Sequence, residues 1–411
     1  MTNTFPVLGI QPFSFLCPTR LVFGPGSVAQ TGQILADAGI TSVLVVVGSR
    51  FTKSSSGFAS MLQSLSDASI AWTEYSDVHA DPDDTNVRTA AIMLRKEGHQ
   101  AVLAYGGGSP IDCAKSAALS AANGADILDY LYTRAQPQRP ALPIFAVTST
   151  AGTGSEMSSA AVTTDQSESR KLGFSHPSLF PQAAIVDPAL HASMPPSLTA
   201  ATGLDALTHV VESYLSLAAN PICDAINLEA MRRIGSSLPV AWADGSNLAA
   251  RANMALASAS AGMAFSQTGL GMVHGFAHPL GSRLGAAHGM ANAVLLPYIL
   301  AAMAGHVAPR MAQIDAALHG NADPASTYSA TSLVETIVSM NKAMGIPASV
   351  AELAAVLGVD KKSLAEKRMD ILADALSYRS RPRSPRTFSD SELATLYDVA
   401  VDGNLERAYR I

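Results

Sequence analysis

Residues 101–122 read AVLAYGGGSPIDCAKSAALSAA, and the fold follows from them. Ala101 to Tyr105 is an apolar run of strand length, three glycines and a serine occupy 106–109, and the Ala-rich stretch from Ile111 to Ala122 reads as a helix. A buried strand passing through glycine into a helix is the repeating unit of a mainly parallel α/β sheet, whose ligands bind at the carboxyl ends of the strands. Without Cβ atoms, Gly106, Gly107 and Gly108 let backbone N–H groups approach a pyrophosphate beside the positive end of the helix. The run is not a G-x-G-x-x-G fingerprint. The only stretch near that pattern, Gly24 to Ala29, reads as a tight turn.

The same alternation extends outward. Leu21 to Phe23 reads as a short strand, and Ser27 as a cap for a helical segment from Val28 to Ala38. Val43 to Val47 is a β-branched run that ends at Gly48-Ser49, as a buried parallel strand does. Asn86 to Glu97 follows as a helix and Pro143 to Val147 as a strand. After Met194-Pro195-Pro196 the character changes to Ala/Leu-rich helices, and the domain boundary is placed there, dividing 1–194 from 195–411. The predicted helices are Ser197 to Leu215, Pro221 to Ser236, Leu248 to Gln267, Ala291 to Met303, Ser329 to Met344 and Val350 to Leu357. A basic stretch from Arg379 to Arg386, RSRPRSPR, reads as solvated surface before a last helix from Ser389 to Val401.

Composition narrows the function. The chain has 411 residues, 48% hydrophobic and 15% charged, which favours a globular enzyme over a disordered chain. A net charge of −6 without a dense basic cluster gives no electrostatic reason to bind nucleic acid or an acidic membrane, so a small molecule is the expected partner. No uninterrupted apolar run reads as long enough to span a bilayer. Cys17, Cys113 and Cys223 are far apart and odd in number, which suggests neither a disulfide framework nor a zinc knuckle. The N-terminus lacks a basic region preceding an apolar core, and reducing cytoplasm is the expected location.

The densest chemical signal is GLDALTH at 203–209, followed by VHGFAHPLG at 273–281 and AHG at 287–289. Asp205 and His209 are four apart on a predicted helix, so they project from one face and reach one ion. His274 opens a second helix-like stretch, and His288 follows Gly281 and Gly285, which let the chain turn back. A carboxylate and three imidazoles suit a borderline divalent cation such as iron or zinc. On spacing alone, a metal site and a set of packed histidines are both admissible.

GLDALTHVVESY and GMVHGFAHPLGSRLGAAHGMANAVLLP resemble the two signatures of the iron-containing alcohol dehydrogenases. FGPGSV near the N-terminus, YGGGSPIDCAK at 105–115, TSTAGTGSE at 148–156 and the stretch from Lys171 to Val211 resemble the family in the same order, whereas the last hundred residues match poorly. The resemblance implies an α/β dinucleotide-binding domain over 1–194, an all-helical metal-binding domain over 195–411 and a dehydroquinate synthase-like fold. It makes Asp205, His209, His274 and His288 the metal ligands and sets His278 nearby, as a proton relay, a substrate contact or a packing residue. It assigns Gly107, Gly108 and Ser109 to the pyrophosphate, with Asp112 in its vicinity. Thr148, Ser149 and Thr153 go to ribose, phosphate and nicotinamide, and Lys171 lies near the cofactor.

Two departures bear on the cofactor. After Val47 many relatives that use NAD carry an aspartate for the adenosine ribose, but this chain has Gly48-Ser49-Arg50 and then Lys53. A small residue makes room for a 2′-phosphate that Arg50 or Lys53 neutralises, which favours NADP over NAD. Asp81-Pro82 stands where relatives often have Asn-Pro. Ser49 and Asp81 join the cofactor-facing set on these grounds.

The implied reaction is hydride transfer between NAD(P) and a small alcohol, aldehyde or ketone whose oxygen is polarised by ferrous iron or, alternatively, zinc. Similar proteins form dimers or larger homo-oligomers. Three rivals stand beside it. A maleylacetate reductase-like enzyme reduces a keto diacid without metal, and retention of Asp205 and His209 argues against it, although Arg283 favours an acidic aldehyde. A dehydroquinate synthase-like lyase requires a basic substrate pocket that the sequence does not display. A non-catalytic nucleotide-binding protein has no reason to keep four spaced ligands. Phe265 and Phe276 are candidates for the pocket lining.

Overall fold

The computed structural model describes residues 12–48, 53–76, 78–321 and 327–411. The described residues form two compact units, one over Cys17–Met194 and one over Pro195–Ile411 together with residues 12–16.

The first unit is built on a six-stranded parallel sheet in the order β1-β8-β5-β4-β2-β3. Its strands are β1 (Arg20–Phe23), β2 (Ser42–Val47), β3 (Ala71–Tyr75), β4 (Ala101–Gly106), β5 (Ile144–Thr148) and β8 (Ala183–Val186). Every side chain from Val43 to Val47 is fully buried, as a strand covered on both faces requires. Val43, Val45 and Val47 pack on one face with Ile34, Phe58 and Leu103. Leu44 and Val46 pack on the other with Val87, Ile111 and Ala146. The chain runs from β2 to the edge strand β3 and returns to the other side of β2 as β4, so the order switches between β2 and β4. Gly48 and Gly106 close the carboxyl ends of those two strands, the position at which open α/β sheets bind ligands.

Several elements were not legible in the sequence. β3, AWTEY, is an edge strand with Ala71 and Trp72 exposed, and it lacks a continuous apolar run. β6 (Ala160–Asp165) and β7 (Arg170–Ser175) form an antiparallel hairpin outside the main sheet. The helices Ser56–Asp67 and Ile127–Thr133 were also unforeseen. Ser27 does not cap the first helix: it lies inside a 3-10 turn, Ser27–Gln30, preceded by Gly26 at φ +82°, and the α-helix begins at Thr31.

The second unit is helical. Pro196–Leu215 is its central helix, buried along nearly its whole length and packed against Pro221–Ala243, Leu248–Thr268 and His288–Leu318. The helix expected to stop at Ser236 continues through Pro239 to Ala243, and the one expected over 291–303 runs from His288 to Leu318 with a kink at Val307. That long helix is apolar enough to cross a membrane by length and composition, contrary to the expectation, but 78% of its most apolar window is buried inside the fold. Gly281 is an ordinary helical residue of Met272–Leu284; the turn before His288 rests on Gly285, at φ +75°.

The basic stretch is solvated only in part: Arg379 and Arg383 are exposed, whereas Arg381 and Arg386 are anchored. Arg381 donates to Phe388 O and pairs with Asp390, while Arg386 donates to Ala302 O, Ile411 O and Glu392.

Candidate metal and dinucleotide sites

In the first unit, β4 ends at Gly106 with φ +143° and the helix Gly108–Asn123 starts two residues later, capped by Gly107 without any side-chain bond. Its first N–H groups are therefore left for an external acceptor. The glycines are demanded by close neighbours as well. A Cβ on Gly107 would lie 3.0 Å from Thr150 Oγ1, and one on Gly108 2.7 Å from Thr153 Cγ2. Ser149 N donates to Gly106 O at 2.8 Å, joining the loops that follow β4 and β5.

Three expected cofactor residues come together at this rim. Asp81 adopts the left-handed conformation at φ +58°, which Asp and Asn tolerate better than other side chains, and its N–H donates to Ser109 Oγ at 3.2 Å. Its carboxylate pairs with Lys171 Nζ at 2.7 Å. Lys171 is buried and paired, not a surface lysine. Ser149 and Thr153 are partly exposed, whereas Thr148 is buried and donates to Thr150 O. Ser49 and Arg50 lie outside the described residues. Lys53 forms an ion pair with Glu74, so its charge is already matched.

Asp112 is turned into the protein. It accepts from Ser155 Oγ and Val162 N, and burial raises its carboxyl above the usual range. One turn later, Lys115 was not foreseen as important. It is fully buried, and its three N–H groups are shared among five oxygens within 3.1 Å, Ser155 O and Oγ, Ser158 O and Oγ and Ala160 O, pinning the end of the TSTAGTGSE loop. Burial lowers its amine to about 8. Glu156 is also buried, neither oxygen meets a donor from another of the described residues, and burial pushes it up to about 7. The only cation of an Ala-rich helix, one turn from Asp112, was the available signal for Lys115.

In the second unit, Asp205, His209, His274 and His288 each present one donor atom, and these atoms all lie within 4.8 Å of one another. Asp205 and His209 stand one turn apart on Pro196–Leu215, and His288 opens the long helix. A Cβ on Gly289 would lie 2.1 Å from Ala201 O, so glycine there is what lets the two helices touch and brings His288 to 3.7 Å from Asp205.

Glu212, missed in the sequence although it shares a face with Asp205 and His209, orients one member of the set, His274. Its carboxylate accepts His274 Nδ1–H at 2.6 Å and Val273 N–H at 2.7 Å, leaving the lone pair of His274 Nε2 to face the other donors. Burial, then the neighbouring His209, holds His274 well below the ordinary imidazole range, in the neutral form that a metal ligand requires. Burial pushes Glu212 up to about 7 against the backbone N–H groups of residues 271, 273 and 274.

The amide of Asn292 tests whether a cation fits. Its nitrogen lies 2.7 Å from Asp205 Oδ1, 3.2 Å from His274 Nε2 and 3.2 Å from His288 Nε2. One NH2 has two hydrogens and meets three acceptors, so lone pairs in excess of donors face one centre. Metal–ligand bonds of about 2.0–2.2 Å leave opposite donors up to about 4.4 Å apart, so a small contraction suits the set to iron or zinc.

His278 stands outside the donor set, its ring 5.5 Å from that of His288 and 6.3 Å from that of His274. Phe265 stacks on His209 at 4.8 Å. Phe276 does not line the site, being fully buried against Tyr397. Arg283 is bound to Asp374 through two nitrogens, at 2.9 and 3.1 Å, and is committed to the fold rather than to a substrate.

The chain matches the family description "Iron-containing alcohol dehydrogenase" over residues 18–188. It matches "Fe-containing alcohol dehydrogenase family, C-terminal" over residues 199–401. It is 36% identical over 395 residues to the 1,3-propanediol dehydrogenase of Citrobacter freundii, covering 96% of this chain and 100% of the relative. The NAD-dependent methanol dehydrogenase of Bacillus methanolicus is 34% identical over 388 residues, 94% of this chain and 98% of its own length. The solved alcohol dehydrogenase from Oenococcus oeni superposes with a TM-score of 0.86 at 31% identity, over 95% of this chain and 100% of that one. With both family regions matched and such relatives aligned end to end, the chain belongs to the iron-containing alcohol dehydrogenases, metal-dependent oxidoreductases of alcohols and aldehydes.

Proposed function

We propose that this enzyme transfers hydride between a nicotinamide dinucleotide and a small alcohol or its carbonyl partner, with Asp205, His209, His274 and His288 as ligands of one divalent cation. The observation that carries the reading is the excess of lone pairs converging on the Asn292 amide. Iron is the first choice because of the family, and zinc the alternative, since its intrinsic affinity for N/O donors exceeds that of ferrous iron. When bound, the cation supplies Lewis acidity to the substrate oxygen, and the dinucleotide supplies or accepts the hydride.

The residues have separable tasks. Glu212 fixes the His274 tautomer, Asp205 supplies the negative charge of the donor set, and Phe265 covers one face of His209. His278, beside the donors but outside the set, exchanges a proton with the substrate oxygen. In the first unit, Gly107 and Gly108 offer backbone N–H groups to the pyrophosphate and Ser109 its hydroxyl. Ser149 and Thr153 contact ribose and nicotinamide, with Thr148 behind them. The Asp81–Lys171 pair borders that rim, and Asp112 supports it from within. NADP is favoured over NAD because Gly48-Ser49-Arg50 lacks an aspartate to repel a 2′-phosphate, a reading that rests on Arg50 now that Lys53 is matched by Glu74. The enzyme works as a cytoplasmic homo-oligomer, the location being supported by three unpaired cysteines.

The test is oxidation of NADPH and NADH with short aldehydes and keto acids, using metal-stripped protein before and after addition of ferrous iron or zinc. Turnover of aldehydes restored by one of the metals is the expected result. Full turnover of a keto acid by the stripped protein would overturn it in favour of a maleylacetate reductase-like enzyme.

A further inference from the structure

The segment that follows the helix Arg368–Leu376 reaches back to the histidines. Tyr378 sets its ring edge-on against His278, with centroids 5.5 Å apart and planes at 88°. A Cβ on Gly275 would lie 3.1 Å from Tyr378 Cδ1, so the glycine beside His274 is what lets this ring settle against the helix Met272–Leu284. The hydroxyl bonds to Ser380. The next residues are held firmly: Arg381 donates to Leu376 O and Phe388 O, and Arg386 to Ala302 O and Ile411 O. The ring is therefore a fixed wall on an irregular but anchored segment. It retains partial exposure, unlike the aromatic residues of the core.

The rings around the donor set form a row. Phe265 stacks on His209, His209 lies 4.6 Å from His274, His278 lies 5.5 Å from His288, and Tyr378 closes the end at His278. We propose that Tyr378 is a specificity-determining residue, whose ring limits the carbon chain of a substrate held at the donor set on its His278 side. The preferred substrates are then short, unbranched primary alcohols and their aldehydes. The proposal rests on the metal-dependent alcohol dehydrogenase reading of the same site. The ring acts by excluding volume: its edge is packed against the helix Met272–Leu284 at Gly275 and against the ring of His278. Excluding one methylene is worth about 10- to 200-fold in discrimination.

The test compares kcat/KM for straight-chain primary alcohols from ethanol to hexanol and for 2-methyl-1-propanol, in the metal-loaded wild type, Tyr378→Ala and Tyr378→Phe. Wild type and Tyr378→Phe should share a preference for the short chains. In Tyr378→Ala the ratio of hexanol to ethanol should rise at least about tenfold, with cofactor KM and bound metal unchanged. A ratio unchanged in Tyr378→Ala, in protein that binds metal and oxidises ethanol, overturns the role of the ring while leaving the dehydrogenase reading intact. A preference lost equally in Tyr378→Phe overturns it too, by placing the selectivity in the hydroxyl. Wild type inactive on every alcohol with either metal would instead remove the underlying function, and this proposal with it.

Discussion

At the carboxyl end of β4 most of the charged side chains are spent on nearby polar groups, whereas in the helical unit they converge on a shared centre with lone pairs to spare. Asp81 is paired with Lys171, Asp112 with Ser155, and Lys115 with five oxygens of a single loop. What remains on offer there is chiefly backbone N–H from a glycine-capped helix, beside the hydroxyls of Ser109, Ser149 and Thr153. Across Asp205, His209, His274 and His288 the opposite holds, because the donor atoms of the side chains themselves converge and Glu212 aims one of them, His274. A site made of backbone tolerates the loss of any one side chain, and a site made of donor atoms does not.

The largest effect should therefore follow from removing a donor. His274→Ala takes away one of the four proposed ligands and leaves the buried Glu212 with backbone donors but no imidazole. We expect loss of bound metal and a fall in kcat/KM of about 1,000-fold or more, since Lewis-acid stabilisation is worth several kcal/mol and each 1.36 kcal/mol is tenfold. Metal analysis of purified protein beside steady-state kinetics checks this. Retention of stoichiometric metal would place the donor set elsewhere and dissolve the contrast.

A second effect belongs to the first unit and acts on stability. Glu156 is buried, meets no donor from another of the described residues, and holds its proton to about pH 7 in the folded chain, whereas its ordinary value is 4.5. Between those values the folded state binds more protons than the unfolded one, so the stabilising contribution is complete below pH 4.5 and is lost as pH rises through 7. The loss amounts to about 3 kcal/mol at most, because a tenfold change in proton affinity is worth about 1.36 kcal/mol. Glu156→Gln keeps the shape without the charge. Urea unfolding at pH 5 and pH 7.5 should show wild type losing stability relative to the variant across that interval. Equal dependence in both would mean that the carboxylate finds a compensating donor, and that this loop is not the closed polar system described above.

The same contrast explains what the sequence disclosed. The donor set was legible because metal chemistry needs particular side chains at helical spacing, and Asp205, His209, His274 and His288 do come together. Glu212 was equally readable, three residues past His209, but a carboxylate that orients a histidine has no signature apart from its neighbour. The parallel sheet was legible in the fully buried β-branched run of β2 and in the glycines after β4. The β6–β7 hairpin was not, because TTDQSESRK is polar throughout and its pairing is stabilised from outside, by Asp83 and Asp84 binding Gln166 and by Tyr132 binding Asp165. Proline misled in the other direction, since Pro239 reads as a helix end yet sits inside a helix. Tyr378 and the arginine-rich segment carried no local pattern. Their position depends on distant contacts, Tyr378 with Gly275 and His278 about a hundred positions away and Arg386 with Ala302.

The smallest effect sharpens the comparison most. Ser109 is the hydroxyl nearest the helix start and accepts the Asp81 N–H, so Ser109→Ala removes one neutral hydrogen bond and whatever bond the hydroxyl gives the dinucleotide. One such bond is worth about 1 kcal/mol, or about fivefold in affinity. We expect a rise of that size in cofactor KM, with kcat and metal affinity unchanged, because the glycine-capped N–H groups remain. A rise of about 100-fold would equal nearly 3 kcal/mol. No backbone-dominated site loses that much to a single hydroxyl, and the rim would then have to be described, like the donor set, as a site built from side chains.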